Sequence, residues 1–187
     1  MRKELIVALR FTLVTTVFFG LLYPLGVTGL SKMIFPKQAA GSLIEKNGHI
    51  VGSSLIGQSF TSEKYFHSRP SFAGNGYDAG ASSASNLAPT NQGLIDRVKS
   101  DVAKLQQENP GVAIPADLVT SSGSGLDPEI SPAAADFQIP RVAKARGLSV
   151  ESVKALVARH TQGRTWGIFG EPRVNVLELN LDIDTQR

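Results

Sequence analysis

Phe11–Ser31, FTLVTTVFFGLLYPLGVTGLS, contains no charged residue and is bracketed by Arg10 and Lys32. At about 1.5 Å per residue, a helix of that length spans roughly 30 Å, the thickness of a bilayer's hydrocarbon core. The stretch reads as a membrane anchor. A cleaved secretory signal fits less well, because its apolar core is usually only about 7 to 15 residues and ends at a small-residue cleavage site. The best such site here, after Ala40, has Gln38 where a small side chain is wanted. A buried core helix would leave an unusually long uncharged run between two basic residues.

Arg2, Lys3 and Arg10 precede the span, and Lys32 and Lys37 follow it. Lys and Arg in short flanks tend to stay cytoplasmic, so the expected layout is a short cytoplasmic N-terminus (1–10), a transmembrane helix (11–31) and a soluble domain (32–187) on the outer, periplasmic side of a bacterial inner membrane. Thr12, Thr16 and Gly20 recur at intervals of four and share a helix face that another backbone could approach closely. The same residues are also ordinary constituents of transmembrane helices, so the row by itself stays open between the two readings.

The chain has 19 Lys+Arg and 16 Asp+Glu, but its first ten residues hold three of the basic residues and one acidic one. The remainder, with 16 basic and 15 acidic residues, is nearly neutral. A nucleic-acid binder needs a basic stripe to neutralise phosphates, and none follows the anchor. The absence of Cys excludes disulfides and thiolate metal sites.

Beyond the anchor, Ser42–Ser53 carries apolar and β-branched residues around Asn47-Gly48, a hairpin signal. A short apolar strand is expected from Ser54, leading into YFHSRPS, where Tyr65, Phe66 and Phe72 are core candidates and Arg69 before Pro70 is biased to extended backbone. Ala73–Asn91 is a long loop of small and polar residues. Its Gly74-x-Gly76-x-x-Ala79 is set aside as a dinucleotide fingerprint because no helix pattern opens there. Leu94, Ile95, Val98, Val102 and Leu105 predict a helix from about Thr90 or Asn91, with Asp96, Arg97, Lys99, Asp101 and Lys104 on a solvated face. Further expectations are a strand at Asp117–Thr120, a helix from Pro132 to Arg146 capped by Ser131 and interrupted at Pro140, and a helix from Val150 to His160 capped by Ser149. Alternation of Leu177, Leu179, Leu181 and Ile183 with Glu178, Asn180 and Asp182 predicts a closing strand, Val174–Ile183, with one wet face. The fold class is α+β: one N-terminal transmembrane helix, then a single soluble domain with a small antiparallel or mixed sheet and about three helices.

Ser121–Pro132, SSGSGLDPEISP, invites a catalytic reading with Ser124 as nucleophile, Asp127 as orienter and His67 or His160 as base. A nucleophile elbow, however, requires Gly-x-Ser-x-Gly, and here glycines flank Ser124 directly. A turn shaped by its backbone is the simpler reading, and no catalytic, cofactor-binding or metal residue is assigned.

SGSGLDPEISPAAADFQIPRVAKARGLS, HTQGRTWGIFGEPRVNVLELNLDID, YFHSRPS and SSASNLAPTN, in that family's order and with one N-terminal span, resemble the C subunit of the bacterial Kdp potassium-transporting P-type ATPase. The resemblance implies a non-catalytic subunit of a high-affinity, ATP-driven potassium importer. It would assemble with a channel-like potassium-translocating subunit, a catalytic ATPase subunit and a small single-span subunit, in contact with membrane lipid. The resemblance further implies a catalytic chaperone that raises the ATPase subunit's affinity for ATP, with ATP reached only through the complex. P-type pumps phosphorylate the Asp of an Asp-Lys-Thr-Gly motif, which this sequence lacks. The alternatives are a membrane-tethered periplasmic hydrolase and an anchored binding domain. Charged groups in turn-rich loops make credible partner contacts, which singles out Arg69, Asp127 and Arg173.

Overall fold

The sequence begins in a helix far longer than its uncharged run. The computed structural model describes residues 1–186, and from Arg2 to Ile34 it is one helix of 33 residues, about 50 Å long at 1.5 Å per residue. The helix comprises α1 (Arg2–Val17), a π-helical turn (Phe18–Leu22) and α2 (Tyr23–Ile34). Its length and composition suffice to cross a membrane, and none of its residues is buried. Pro24 explains the wide turn. It has no N–H for the carbonyl four residues back, and its ring would crowd that carbonyl. Tyr23 N–H instead donates to Phe18 O, five residues back.

Phe35, restricted by the following proline, leaves helical geometry, and Pro36 opens the short α3 (Pro36–Ala39). The expected hairpin follows: β1 (Leu43–Lys46) pairs with β2 (His49–Ser53). Asn47 and Gly48 both take positive φ, +55° and +79°, as a two-residue type I′ connection requires. The chain divides into two compact units, Met1–Val51 and Gly52–Arg187.

Among the described residues, the second unit has four helices of at least two turns: α4 (Gln92–Glu108), α5 (Pro132–Arg146), α6 (Val150–His160) and α7 (Val176–Ile183). Each start is set by a side chain accepting a free backbone N–H. Asn91 takes Leu94 N (3.2 Å), Ser131 takes Ala134 N (3.1 Å), Ser149 takes Ser152 N (3.1 Å) and Asn175 takes Glu178 N (3.0 Å). A small antiparallel sheet of order β3-β5-β4 is formed by β3 (Glu129–Ile130), β5 (Arg173–Asn175) and β4 (Thr161–Gln162). Val174 sits at its centre, opposite both Ile130 and Thr161. The core gathers Phe66, Phe137, Val142, Leu156, Val174, Leu179 and Ile183. The fold is therefore α+β, with one candidate membrane helix.

Four expectations are corrected. Residues from Ser54 form turns rather than a strand. Asp117–Thr120 is no strand either: Ala116–Leu118 is a 3-10 turn, closed by the Thr120 amide and hydroxyl, which both donate to Ala116 O. α5 runs uninterrupted through Pro140, because Pro140 and Asp136 are both exposed and the carbonyl left without its helical partner faces water. Val174–Ile183 is strand only as far as Asn175 and helix from Val176, for the Asn175 cap and the helical spacing of Val176, Leu179, Asn180 and Ile183 prevail over alternation. Asn180, expected on the wet face, is buried.

That burial organises the long loop. Asn180 accepts from Phe66 N (2.8 Å) and donates to Phe66 O (2.9 Å). Gln138 accepts from His67 N (2.7 Å) and donates to His67 O (3.1 Å). Two side-chain amides thus do for this extended segment what a neighbouring strand would do. Replacing Asn180 with Ala leaves both polar groups of a fully buried residue unpaired. Asn180→Ala is expected to lower the unfolding free energy by about 2–4 kcal/mol, read by urea titration of the detergent-solubilised chain.

Candidate functional site

Arg69, Asp127 and Arg173, far apart in sequence, converge on one open cleft of about 830 Å³, lined also by Asp117, Glu129 and Glu171. Arg69 arrives on the loop pinned by Gln138 and Asn180. Its Nη1 donates to Asp127 Oδ2 (2.9 Å), its Nη2 to Ser121 O (3.3 Å) and its Nε to Thr120 O (3.4 Å). Asp127 closes the turn at Pro128 by accepting Glu129 N at Oδ1 (3.0 Å). Glu129, at the head of β3, accepts Arg173 Nε from β5 at 2.8 Å. Asp117 takes both the amide and the hydroxyl of Ser131, at 2.7 and 3.1 Å, ahead of α5.

The backbone around this cleft is equally constrained. Ser71 Oγ donates to Gly125 O (2.6 Å) and accepts Ala73 N (3.2 Å) and Tyr77 N (2.9 Å). Tyr77 donates its hydroxyl to Arg69 O, and burial pushes its phenol pKa up. Gly125 sits at φ +67°, and a Cβ there would come within 2.7 Å of Ala73 N, so the turn admits only glycine. The cleft therefore offers alternating charges in fixed positions. This arrangement suits a polar contact surface.

Of the catalytic reading, Ser124 and Asp127 line one second cleft, but neither His67 nor His160 is among its lining residues. Ser124 Oγ accepts Leu126 N (3.1 Å), and Asp127 is committed to Arg69. His67 Nε2 lies 3.0 Å from Ser62 O, while His160 Nε2 lies 2.9 Å from Asp182 Oδ2. Burial, with the nearby Arg141 guanidinium as a second cause, lowers the His67 pKa. The His160 hydrogen bond holds the Asp182 carboxyl below its ordinary value. Among the described residues, no three His, Cys, Asp or Glu side chains cluster where a metal ion could be held. No helix opens at Ala79: Asp78 N and Gly76 N both return to Ala73 O in tight turns. On the membrane-capable helix, Thr12, Thr16 and Gly20 are exposed, and the π turn begins before Gly20 and shifts the face beyond it.

Sequence reading missed three arginines. Arg97, expected on a solvated face, pairs with Asp101 (2.8 Å), donates to Val119 O (3.0 Å) and stacks over Phe72. Arg141 reaches Glu63 O (2.6 Å), Tyr65 O (2.9 Å), Gln138 and Glu108. Arg146 donates to Lys64 O (2.7 Å) and Asp184 (2.8 Å). A polar Gln138 one helical turn from Ala134, on the apolar face of α5, was the available signal for this network.

The family described as KdpC: K+-transporting ATPase, c chain, matches residues 5–185. The chain belongs to this family. The Potassium-transporting ATPase KdpC subunit of Koribacter versatilis is 58% identical over 184 residues, covering 98% of this chain and 95% of its own length. The KdpC subunit of Rhodopseudomonas palustris strain BisB18 is 55% identical and covered end to end, as is this chain. That of Caulobacter vibrioides is 59% identical over 172 residues, 91% of this chain and 87% of its own. Similarity to KdpC proteins thus spans the N-terminal apolar helix, the pinned loop and the cleft alike.

Arg69→Ala is expected to loosen residues 120–127, raising their amide exchange roughly tenfold by local opening. Arg69→Lys should not restore protection, since an ammonium cannot span three acceptors as the planar guanidinium does. His67 gives a pH prediction with a fixed sign. Its folded pKa lies below its ordinary 6.5, so on acidification the unfolded chain takes up the proton first. Stability is fully present above about pH 6.5 and declines as pH falls toward the folded value. His67→Gln should flatten that decline in melting temperatures measured from pH 7.5 to 5.

Proposed function

We propose that this chain is the accessory C subunit of an ATP-driven potassium-importing complex, held in a bacterial inner membrane by the helix Arg2–Ile34 with residues 52–186 on the outer side. The carrying observation is the nearly end-to-end similarity to proteins named Potassium-transporting ATPase KdpC subunit, joined to one helix fit to cross a membrane. The basic residues Arg2, Lys3 and Arg10 ahead of the uncharged run support the orientation. Its partners are a channel-like potassium-translocating subunit, a catalytic P-type ATPase subunit and a small single-span subunit.

The chain does not hydrolyse ATP itself. The Asp-Lys-Thr-Gly phosphorylation motif is missing from its sequence, and the separate partners of Ser124, His67 and His160 argue against a tethered hydrolase. It stabilises the assembly and raises the ATPase subunit's affinity for ATP. With the domain outside, that effect passes through membrane helices as a coupling free energy, typically about 1–3 kcal/mol, equivalent to roughly 5- to 150-fold in affinity. ATP therefore need not touch this chain.

An affinity-tagged chain, drawn in mild detergent from membranes of potassium-starved cells, is expected to bring down a large polytopic protein and a P-type ATPase with potassium-stimulated ATP hydrolysis. A chain recovered alone and folded defeats the proposal. Because the chain has no Cys, Lys154→Cys on the exposed side of α6 reports orientation. An impermeant thiol reagent should label it at the outer face of the inner membrane in osmotically opened cells, and labelling only after lysis refutes an outer domain.

A further inference from the structure

Between β4 and β5, residues 163–172 form a small hairpin that the cleft geometry leaves unexplained. Thr165 N donates to Phe169 O (2.8 Å) and Phe169 N returns to Thr165 O (3.0 Å). Trp166 at φ +54° and Gly167 at φ +76° make the turn. Arg164 Nη2 clamps the base by donating to both carboxylate oxygens of Glu171, at 2.8 and 2.7 Å. The fixed tip presents Trp166, Ile168 and Phe169 to solvent, 85%, 71% and 60% exposed, with the Trp166 and Phe169 rings edge to face at 6.0 Å. A left-handed backbone at a tryptophan is a strained state that persists only where its surroundings impose it. Here it holds two aromatic side chains clear of the surface, the residue type enriched at interface hot spots.

The surroundings of the tip decide between a lipid surface and a protein. Gly170, Glu171, Pro172 and Arg173 continue from the hairpin directly into the cleft. Cleft and hairpin base together carry four carboxylates, on Asp117, Asp127, Glu129 and Glu171, against three guanidiniums, on Arg69, Arg173 and Arg164, which pair with Asp127, Glu129 and Glu171 in turn. The guanidiniums of this rim are all paired and its surplus charge is a carboxylate, so it lacks the basic patch that an anionic lipid surface recruits. It complements a protein face that sets basic side chains around an apolar socket.

Resting on the subunit reading, we propose that the Trp166–Phe169 tip is the docking anchor of this domain on another subunit of the same complex, seated in an apolar socket with a basic rim. Apolar anchor and charged cleft then form the centre and rim of one interface. The tip touches little of its own domain, so its removal spares the fold.

The test compares the complex and the chain alone, both in detergent, with Ile168→Cys in the otherwise Cys-free sequence. Thiol labelling is expected to be at least about tenfold slower in the complex, and Trp166→Ala/Phe169→Ala should recover at most about a third of the partner subunits with an unchanged circular dichroism spectrum. Equal labelling rates, or full recovery of partners by the double variant, overturn the anchor while leaving the subunit reading intact. Protection of Ile168→Cys in the chain alone, appearing only in nanodiscs of anionic lipid, assigns the tip to the membrane and overturns it too. A native sequence that captures no partner at all defeats the subunit reading before any variant is compared, and this inference with it.

Discussion

Five consecutive carbonyls, Glu63 to His67, are satisfied by side chains rather than by another strand. Arg141 takes those of Glu63 and Tyr65, Arg146 that of Lys64, Asn180 that of Phe66 and Gln138 that of His67. Buried backbone polar groups must find partners, and each orphan costs about as much as a lost hydrogen bond. A segment with no secondary structure can therefore enter the core at Phe66, from exposed Glu63 and Lys64, only because α5 and α7 supply the donors it needs. Everything downstream in the loop inherits its position from that run, including Arg69 two residues beyond His67. The cleft is placed by helix side chains that do not line it.

This constraint explains which features the sequence disclosed. Local chemistry was legible: Asn47-Gly48 for the hairpin, Ser131 and Ser149 as helix caps, and the long uncharged run as a membrane-capable helix. Non-local compensation was not. Asn180 in an alternating stretch reads as a wet residue until Phe66 is placed beside it, 114 positions away in sequence. Once it belongs to the core, Val176, Leu179 and Ile183 fall on one helical face and the strand reading loses its support. Arg97 was hidden in the same way, since a charge among charges on an amphipathic helix looks solvated, yet its planar guanidinium lies over Phe72. The three residues singled out for partner contact did converge, because turn-rich loops around one sheet end tend to meet. Their mutual pairing, Arg69 with Asp127 and Arg173 with Glu129, depends on strand register that the sequence does not state.

Paired charges on a half-exposed surface contribute little to folding, typically about 0–1 kcal/mol each. Their arrangement is better understood as fixing shape and polarity. Asp127 links Arg69 to the turn that starts β3, and Glu129 links β3 to β5 through Arg173. The cleft walls are thereby tied into the sheet whose centre, Val174, lies in the core. A partner pressing on this surface meets a rigid body, so binding free energy is not consumed in ordering loops.

The membrane-capable helix meets the converse problem. It is apolar around its whole circumference, and lipid tails are as apolar as its own side chains, so burial of apolar area cannot select a protein neighbour for it. Selection has to come from shape and from backbone polarity. Pro24 removes one donor, and in hydrocarbon an unpaired carbonyl is far more costly than in water. The π turn at Phe18–Leu22 widens the helix where that donor is missing. The widening comes at Gly20, where no side chain fills the surface, and Thr16 and Thr12 continue the same narrow face toward the N-terminus. A facing helix could approach closely along that stretch and lose contact beyond it, because the extra residue in the turn rotates the following face away. The proline thereby sets where along the helix the face of Thr12, Thr16 and Gly20 ends.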